Sequence, residues 1–141
     1  MGKIRIGKKA SLIKKITEQD VKDFAKLSGD FNLLHSDDDF ARKWVFKKKI
    51  VHGALLISYL SNCITNKLIG NGGVFMNINF DFLKPVYIED TITINVKVLE
   101  VNTVSRIIKL KTEFYNQNNV YIACGLGSVL LPEPHFGDIT N

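Results

Sequence analysis

Residues 53–68 carry apolar side chains almost all the way round a helix: Ala54, Leu55, Leu56, Ile57, Tyr59, Leu60, Cys63 and Ile64. A helix of that kind must be wrapped by other elements. His52, Ser58, Ser61, Asn62, Thr65, Asn66 and Lys67 interrupt the apolar run over residues 50–69, so it reads as a buried helix and not as a membrane span. The wrapper follows it in the chain. After the loop Gly70-Asn71-Gly72-Gly73, the residues Met76, Ile78, Phe80 and Phe82 alternate with Asn77, Asn79 and Asp81. Ile92, Ile94, Val96 and Val98 then alternate with Thr93, Asn95 and Lys97. Ile108, Leu110, Thr112 and Phe114 alternate with Lys109, Lys111 and Glu113. A turn over residues 116–119 leads to a last strand over 120–131. Alternating strands joined by short turns form an antiparallel sheet with one wet face. The fold class is α+β: a long central helix wrapped by a curved antiparallel sheet.

The first part of the chain reads as smaller pieces. Ile4 and Ile6, then residues 12–16, are expected to form short edge strands. Thr17-Glu18-Gln19-Asp20 is a capping box with Asp in place of Glu, so a helix starts there. Val21, Phe24 and Ala25 form its apolar face, and Gly29 ends it. Ser36 with Asp37, Asp38 and Asp39 reads as the cap and first turn of a second short helix, with Phe40, Ala41 and Trp44 facing inward. Between the two helices lie Asp30 and His35, on irregular backbone. A carboxylate and an imidazole five residues apart can converge on one water molecule, which makes an acid–base pair. The same residues have plainer uses: Asp30 in an Asx turn, His35 bonded to backbone, and His52 as a structural group or a site lining.

The chain has 141 residues and reads as a single domain over residues 1–141. With 45% apolar and 23% charged residues it is globular and not disordered. Met-Gly-Lys-Ile-Arg-Ile has no long apolar stretch, so no secretory signal is read, and Ile6 does not suit myristoylation at Gly2. A cytoplasmic location is expected, with Cys63 and Cys124 as reduced thiols. The net charge of +5 includes Arg42, Lys43, Lys47, Lys48 and Lys49. The aromatics alternate into strands instead of accompanying a basic stripe, so a nucleic-acid partner is not expected. A phosphate-bearing ligand or an acidic carrier protein suits this charge, and so does a merely solvated surface. His35, Asp37, Asp39 and His52 show no recognised metal-ligand spacing, so no metal is expected. Neither a glycine-rich phosphate loop nor a Gly-x-Ser-x-Gly elbow is present, no cofactor is implied, and His135 reads as an exposed tail residue.

Three blocks carry a family resemblance. Leu27-Ser28-Gly29-Asp30-Phe31-Asn32-Leu33-Leu34-His35 resembles the hydratase signature of MaoC-like (R)-specific enoyl-CoA hydratases. Ile50-Val51-His52-Gly53-Ala54-Leu55 resembles the start of that family's central helix. Phe82-Leu83-Lys84-Pro85-Val86-Tyr87-Ile88-Glu89-Asp90-Thr91 resembles its strand-turn-strand segment. The blocks fall in the family's order, over about residues 17–131. The resemblance implies a hotdog fold, a homodimer with its site at the subunit interface, and an acyl-CoA or acyl carrier protein thioester as substrate. It implies Asp30 and His35 as the catalytic pair, and Gly53 as the backbone donor to the thioester oxygen. Asn32 and Ser61 are carried with them as site residues, and His52, just before the helix, joins them as a residue lining the site. The reaction implied is addition of water to a trans-2-enoyl thioester, giving the (R)-3-hydroxyacyl thioester, or its reverse. A hotdog thioesterase and a non-catalytic acyl-thioester binding module are the alternatives. Two departures stand out: Leu33 replaces a usual proline, and Glu89 replaces a usual glycine. If the turn after Pro85 needs positive φ, Glu89 carries strain.

Overall fold

The computed structural model describes residues 2–132. His135 lies outside them. The capping box forms as expected. Thr17 Oγ1 accepts the Asp20 N–H at 3.1 Å, and the Asp20 carboxylate accepts the Thr17 N–H at 2.9 Å. These bonds start α1 (Glu18–Ser28), whose Val21 and Ala25 are buried. Gly29 ends it in left-handed backbone, φ 79°, and donates its N–H to the Ala25 carbonyl.

Two short helices follow, α2 (Leu33–Ser36) and α3 (Asp38–Arg42). The expected cap moves by one residue. Asp37, not Ser36, caps α3 by accepting the Phe40 N–H at 2.7 Å, and Ser36 is the last residue of α2. A second correction concerns the inward face. Ala41 is buried, but Phe40 is 41% and Trp44 49% exposed. Helix α3 is little more than one turn long, so it brings only one side chain onto the core.

Helix α4 (Gly53–Cys63) continues through a π-helical segment, Ile64–Ile69. Leu55, Leu56, Leu60, Cys63, Ile64 and Leu68 are buried, as the wrapped helix requires. One side nevertheless stays open. Ala54, Ser58, Ser61, Asn62 and Asn66 are exposed, and spacings of three and four put them on a single stripe. Burial pushes the Cys63 thiol up to about 11, the state of an inert core thiol.

Five strands cup this helix: β1 (Lys9–Lys15), β2 (Val74–Phe82), β3 (Thr91–Asn102), β4 (Ile107–Tyr115) and β5 (Tyr121–Leu130). All pairs are antiparallel, in the order β1-β3-β4-β5-β2. The alternation in β3 and β4 holds: Ile92, Ile94, Val96, Val98, Ile108, Leu110, Thr112 and Phe114 are buried. At the N-terminus Ile4 is buried, but Ile6 is 58% exposed beside Gly7, which turns the chain at φ 85°. No strand forms over Ile4 and Ile6; the first one starts at Lys9.

Strand β2 departs from simple alternation. Phe75 pairs with Val129 and Asn77 with Ser128, so Met76 is an extra residue, a β-bulge. The bulge reverses the parity. Before it Phe75 packs on the core and Met76 is 54% exposed; after it Ile78 and Phe80 keep the expected inward side, and Phe82, at the strand end, is 52% exposed. Aromatic contacts then run along the sheet toward α4. Phe80 meets Phe114 edge-on at 5.2 Å and Phe82 at 5.1 Å. The Phe82 ring ends against Gly53, where an added Cβ would come within 2.7 Å of it.

Candidate active site

The segment before α4 is sewn to two other parts of the fold. Ile50 donates its N–H to the Leu34 carbonyl at 3.0 Å, and Val51 donates to the Val86 carbonyl at 2.7 Å. This holds the Ile50 carbonyl beside α2. His35 Nδ1 lies 2.7 Å from that oxygen. A carbonyl only accepts, so Nδ1 carries the proton and the neutral ring keeps its lone pair on Nε2. The backbone bond is therefore also what fixes the tautomer for chemistry.

Asp30 sits just past the end of α1. Its N–H donates to Ser28 Oγ at 3.1 Å, and its Oδ1 accepts the Asn32 N–H at 3.1 Å. That is an Asx-type turn, and it engages Oδ1, while Oδ2 accepts no such bond among the described residues. Asp30 is exposed and His35 half-buried. Ligand-capable atoms of Asp30, His35 and His52 lie within 4.8 Å of one another. That separation suits a single bridging water between carboxylate and imidazole. A cleft of about 200 Å³ opens beside the pair, with Val21, Ala25, Phe31 and Asn32 in its walls. A larger open concavity, 670 Å³, lies on the wet face of the sheet at Lys9, Asn95, Lys97 and Lys111, away from the pair.

Asn32 caps α2, its Oδ1 accepting the Leu34 N–H at 3.0 Å. Leu33 is the first residue of that helix. Proline is favoured there because the N–H has no intrahelical partner in any case. Leucine loses only the preset φ. His52 is 2% exposed, its Nε2 3.1 Å from the Asp30 carbonyl oxygen and its ring stacked on His35 at 3.7 Å. Burial pushes its imidazole below the ordinary value; the Asp30 carbonyl opposes this and His35 adds to it.

Gly53 opens α4, and its amide is among the helix-start donors that no intrahelical carbonyl satisfies. The residue before it, His52, gives no side-chain cap. Ser61 lies on the exposed stripe of α4. Three donor-bearing side chains so close also pose the question of a cation. The two imidazole planes are stacked within 28° at 3.7 Å, so their lone pairs lie in two nearly parallel planes, a poor start for tetrahedral ligation.

Two parts of the arrangement have no side-chain signature in the sequence. The Ile50 carbonyl is backbone. The approach of Phe82 to Gly53 is a contact between the end of β2 and the start of α4, distant in the sequence. The basic run is also partly spent on structure. Lys49 bonds Glu18 at 2.6 Å and lies 3.8 Å from Asp38, with only 14% of its side chain exposed. Lys48 sits 4.9 Å over the Tyr87 ring.

Known proteins resemble this chain in sequence and in fold. A family model described as "MaoC like domain" matches residues 5–119. An (R)-specific enoyl-CoA hydratase of Aeromonas caviae is 35% identical over 129 residues, covering 92% of this chain and 96% of that one. A mitochondrial 3-hydroxyacyl-[acyl-carrier-protein] dehydratase of Arabidopsis thaliana is 32% identical, covering 82% and 70%. The solved (R)-hydratase of A. caviae superposes with a TM-score of 0.87 at 35% identity, covering 92% and 98%. The helix cupped by five antiparallel strands is thus the hotdog fold. The chain belongs to the MaoC-like family.

Proposed function

We propose that this protein adds water to trans-2-enoyl thioesters, or removes it from (R)-3-hydroxyacyl thioesters, with Asp30 and His35 as the catalytic pair. The observation that carries the reading is the Nδ1–H of His35 bound to the Ile50 carbonyl, which leaves Nε2 as an acceptor on a ring with a nitrogen within 4.8 Å of an Asp30 carboxylate oxygen. In hydration, a water held between them bonds through oxygen to Cβ while one of its protons passes to the pair. The pair delivers a proton to Cα and returns to its starting state. Both events use one face of the double bond. Positioned acid–base groups contribute about 10² to 10⁴ in rate. The Gly53 amide, at the positive end of α4, faces the developing negative charge on the thioester oxygen. A donor of that kind is worth roughly 2.7–4 kcal/mol.

The substrate is a CoA or carrier-protein thioester, and relatives of both kinds exist. Lys43 and Lys47, which lie between the pair and α4 in the chain, are the candidates for its phosphates. The working form is a homodimer. Among the described residues no helix is long and apolar enough to cross a membrane.

The test is hydration of crotonyl-CoA, followed as loss of the enoyl-thioester absorbance. Asp30→Asn and His35→Ala should each lower kcat by about 10² or more with little change in KM, because both groups act in the transition state. Near wild-type kcat in both folded variants would sink the assignment.

A further inference from the structure

We propose that His52 is a positioning residue, which braces the Asp30–His35 pair and the start of α4 through one side chain; this rests on the catalytic reading above. With 2% exposure it lies beneath the pair, out of reach of substrate. Its Nε2 lies 3.1 Å from the Asp30 carbonyl oxygen, which only accepts, so Nε2 bears the proton. Its ring lies face to face with His35 at 3.7 Å, and Phe24 meets it edge-on at 5.0 Å.

The remaining atom makes the case. His52 Nδ1 is buried with no hydrogen-bond partner among the described residues. With the proton on Nε2, it is an unpaired acceptor, an unfavourable thing to bury. Packing alone would be better served by phenylalanine, which keeps the stacked ring and removes the orphan atom. What imidazole adds is the Nε2–H bond to the backbone of Asp30. His52 also directly precedes Gly53, and it spends its side chain on Asp30 instead of capping its own helix. The carboxylate, the imidazole and the helix-start amides are therefore held in register by this one group. The titratable groups facing it are Asp30 and His35.

Two variants separate donor from ring. His52→Phe keeps the ring and loses the N–H; His52→Gln places an N–H at similar reach and loses the ring. For crotonyl-CoA hydration, His52→Phe should lower kcat by about tenfold to a hundredfold, the scale of a misplacement near 1 Å. Its KM should move by less than about twofold, since no substrate contact is lost. His52→Gln should recover most of that kcat. Nitrogen NMR of the wild-type protein should show Nε2 protonated and Nδ1 bare at pH 7, a readout that holds even if His52→Phe does not fold. Wild-type kcat in His52→Phe, with Asp30→Asn inactive, overturns this inference and leaves the catalytic reading standing. Wild-type kcat in Asp30→Asn removes the catalytic reading itself. A protonated Nδ1, or a His52→Gln variant as impaired as His52→Phe, also overturns it.

Discussion

Glu89 sits in left-handed backbone, φ 75°, in the turn that follows Pro85. The turn is held by the Glu89 N–H to the Ile16 carbonyl at 2.7 Å and by the Tyr87 N–H to Asp90 at 2.9 Å. A side chain at such φ costs about 1–2 kcal/mol. Its ion pair with Lys15, 3.0 Å between exposed groups, offsets little of that. Glycine relieves the strain but adds about 0.4–1 kcal/mol of unfolded-state entropy. Glu89→Gly should therefore stabilise by roughly 0.5–1 kcal/mol, read as a higher urea midpoint at unchanged slope. A lower midpoint would mean that the turn is not strained. His52 gives a residue-scale prediction of pH dependence. Its folded pKa is lowered from 6.5, chiefly by burial, so just below pH 6.5 the unfolded chain binds more protons at this residue. Stability should fall as pH drops through 6.5 toward the folded value, and level off below it. Urea titrations at pH 7.5 and 5.5 should show a smaller loss in His52→Phe than in the wild type; an equal loss would place the acid sensitivity elsewhere.

At the scale of elements, α4 shows why periodicity reads some features and hides others. The strands β3 and β4 were legible because one face is wet, so burial and sequence alternate together. The bulge at Met76 was not, because one extra residue leaves the alternation of letters intact while turning over the side chains before it. The open stripe of α4 was half legible. Its polar residues interrupt the run, but the mass of leucine and isoleucine around them suggests burial on every side. Each polar group can now be placed. Ser58 Oγ donates back to the Ala54 carbonyl at 3.2 Å, and Asn66 donates to Asn62 at 2.7 Å. Ser61 makes neither kind of bond and lies two turns along from Gly53. An acyl chain leaving a thioester at Gly53 and running along this stripe would pass Ser61. Ser61→Leu should then lower kcat/KM for octenoyl-CoA about tenfold relative to crotonyl-CoA. An unchanged ratio in a folded variant would put the channel elsewhere. Asp30, His35 and Gly53 could be named from the sequence because their blocks resemble a family. The tautomer of His35 could not, since its partner is a backbone oxygen brought in from fifteen residues away.

The whole molecule has two sheet edges, and they are unequal. Strand β1 forms one edge and carries Lys9, Lys14 and Lys15, with Lys8 just before it. Lysines on an edge discourage pairing with another sheet. Strand β2 forms the other edge and has no lysine or arginine in Val74–Phe82. Its exposed residues include Val74 at 52%, Met76 at 54% and Phe82 at 52%. An unpaired edge without a lysine or arginine, with apolar flanks, is the surface a second copy would cover. The open stripe of α4 and the exposed Trp44 add to the surface left for a partner. Pairing β2 with its counterpart about a two-fold axis is isologous and closes the assembly at two chains. Phe82 would then lie near the seam, and so would Gly53 beneath it, which couples assembly to the site. Sedimentation equilibrium at micromolar concentration should give twice the chain mass of 15.9 kDa. Met76→Lys puts a charge on this edge at the bulge, outside the core, and should shift the equilibrium to monomer without unfolding the subunit. Activity should fall with the dimer fraction and recover at higher protein concentration, as mass action requires. A wild-type monomer, or a Met76→Lys variant that stays dimeric, would mean that the copies do not meet at β2.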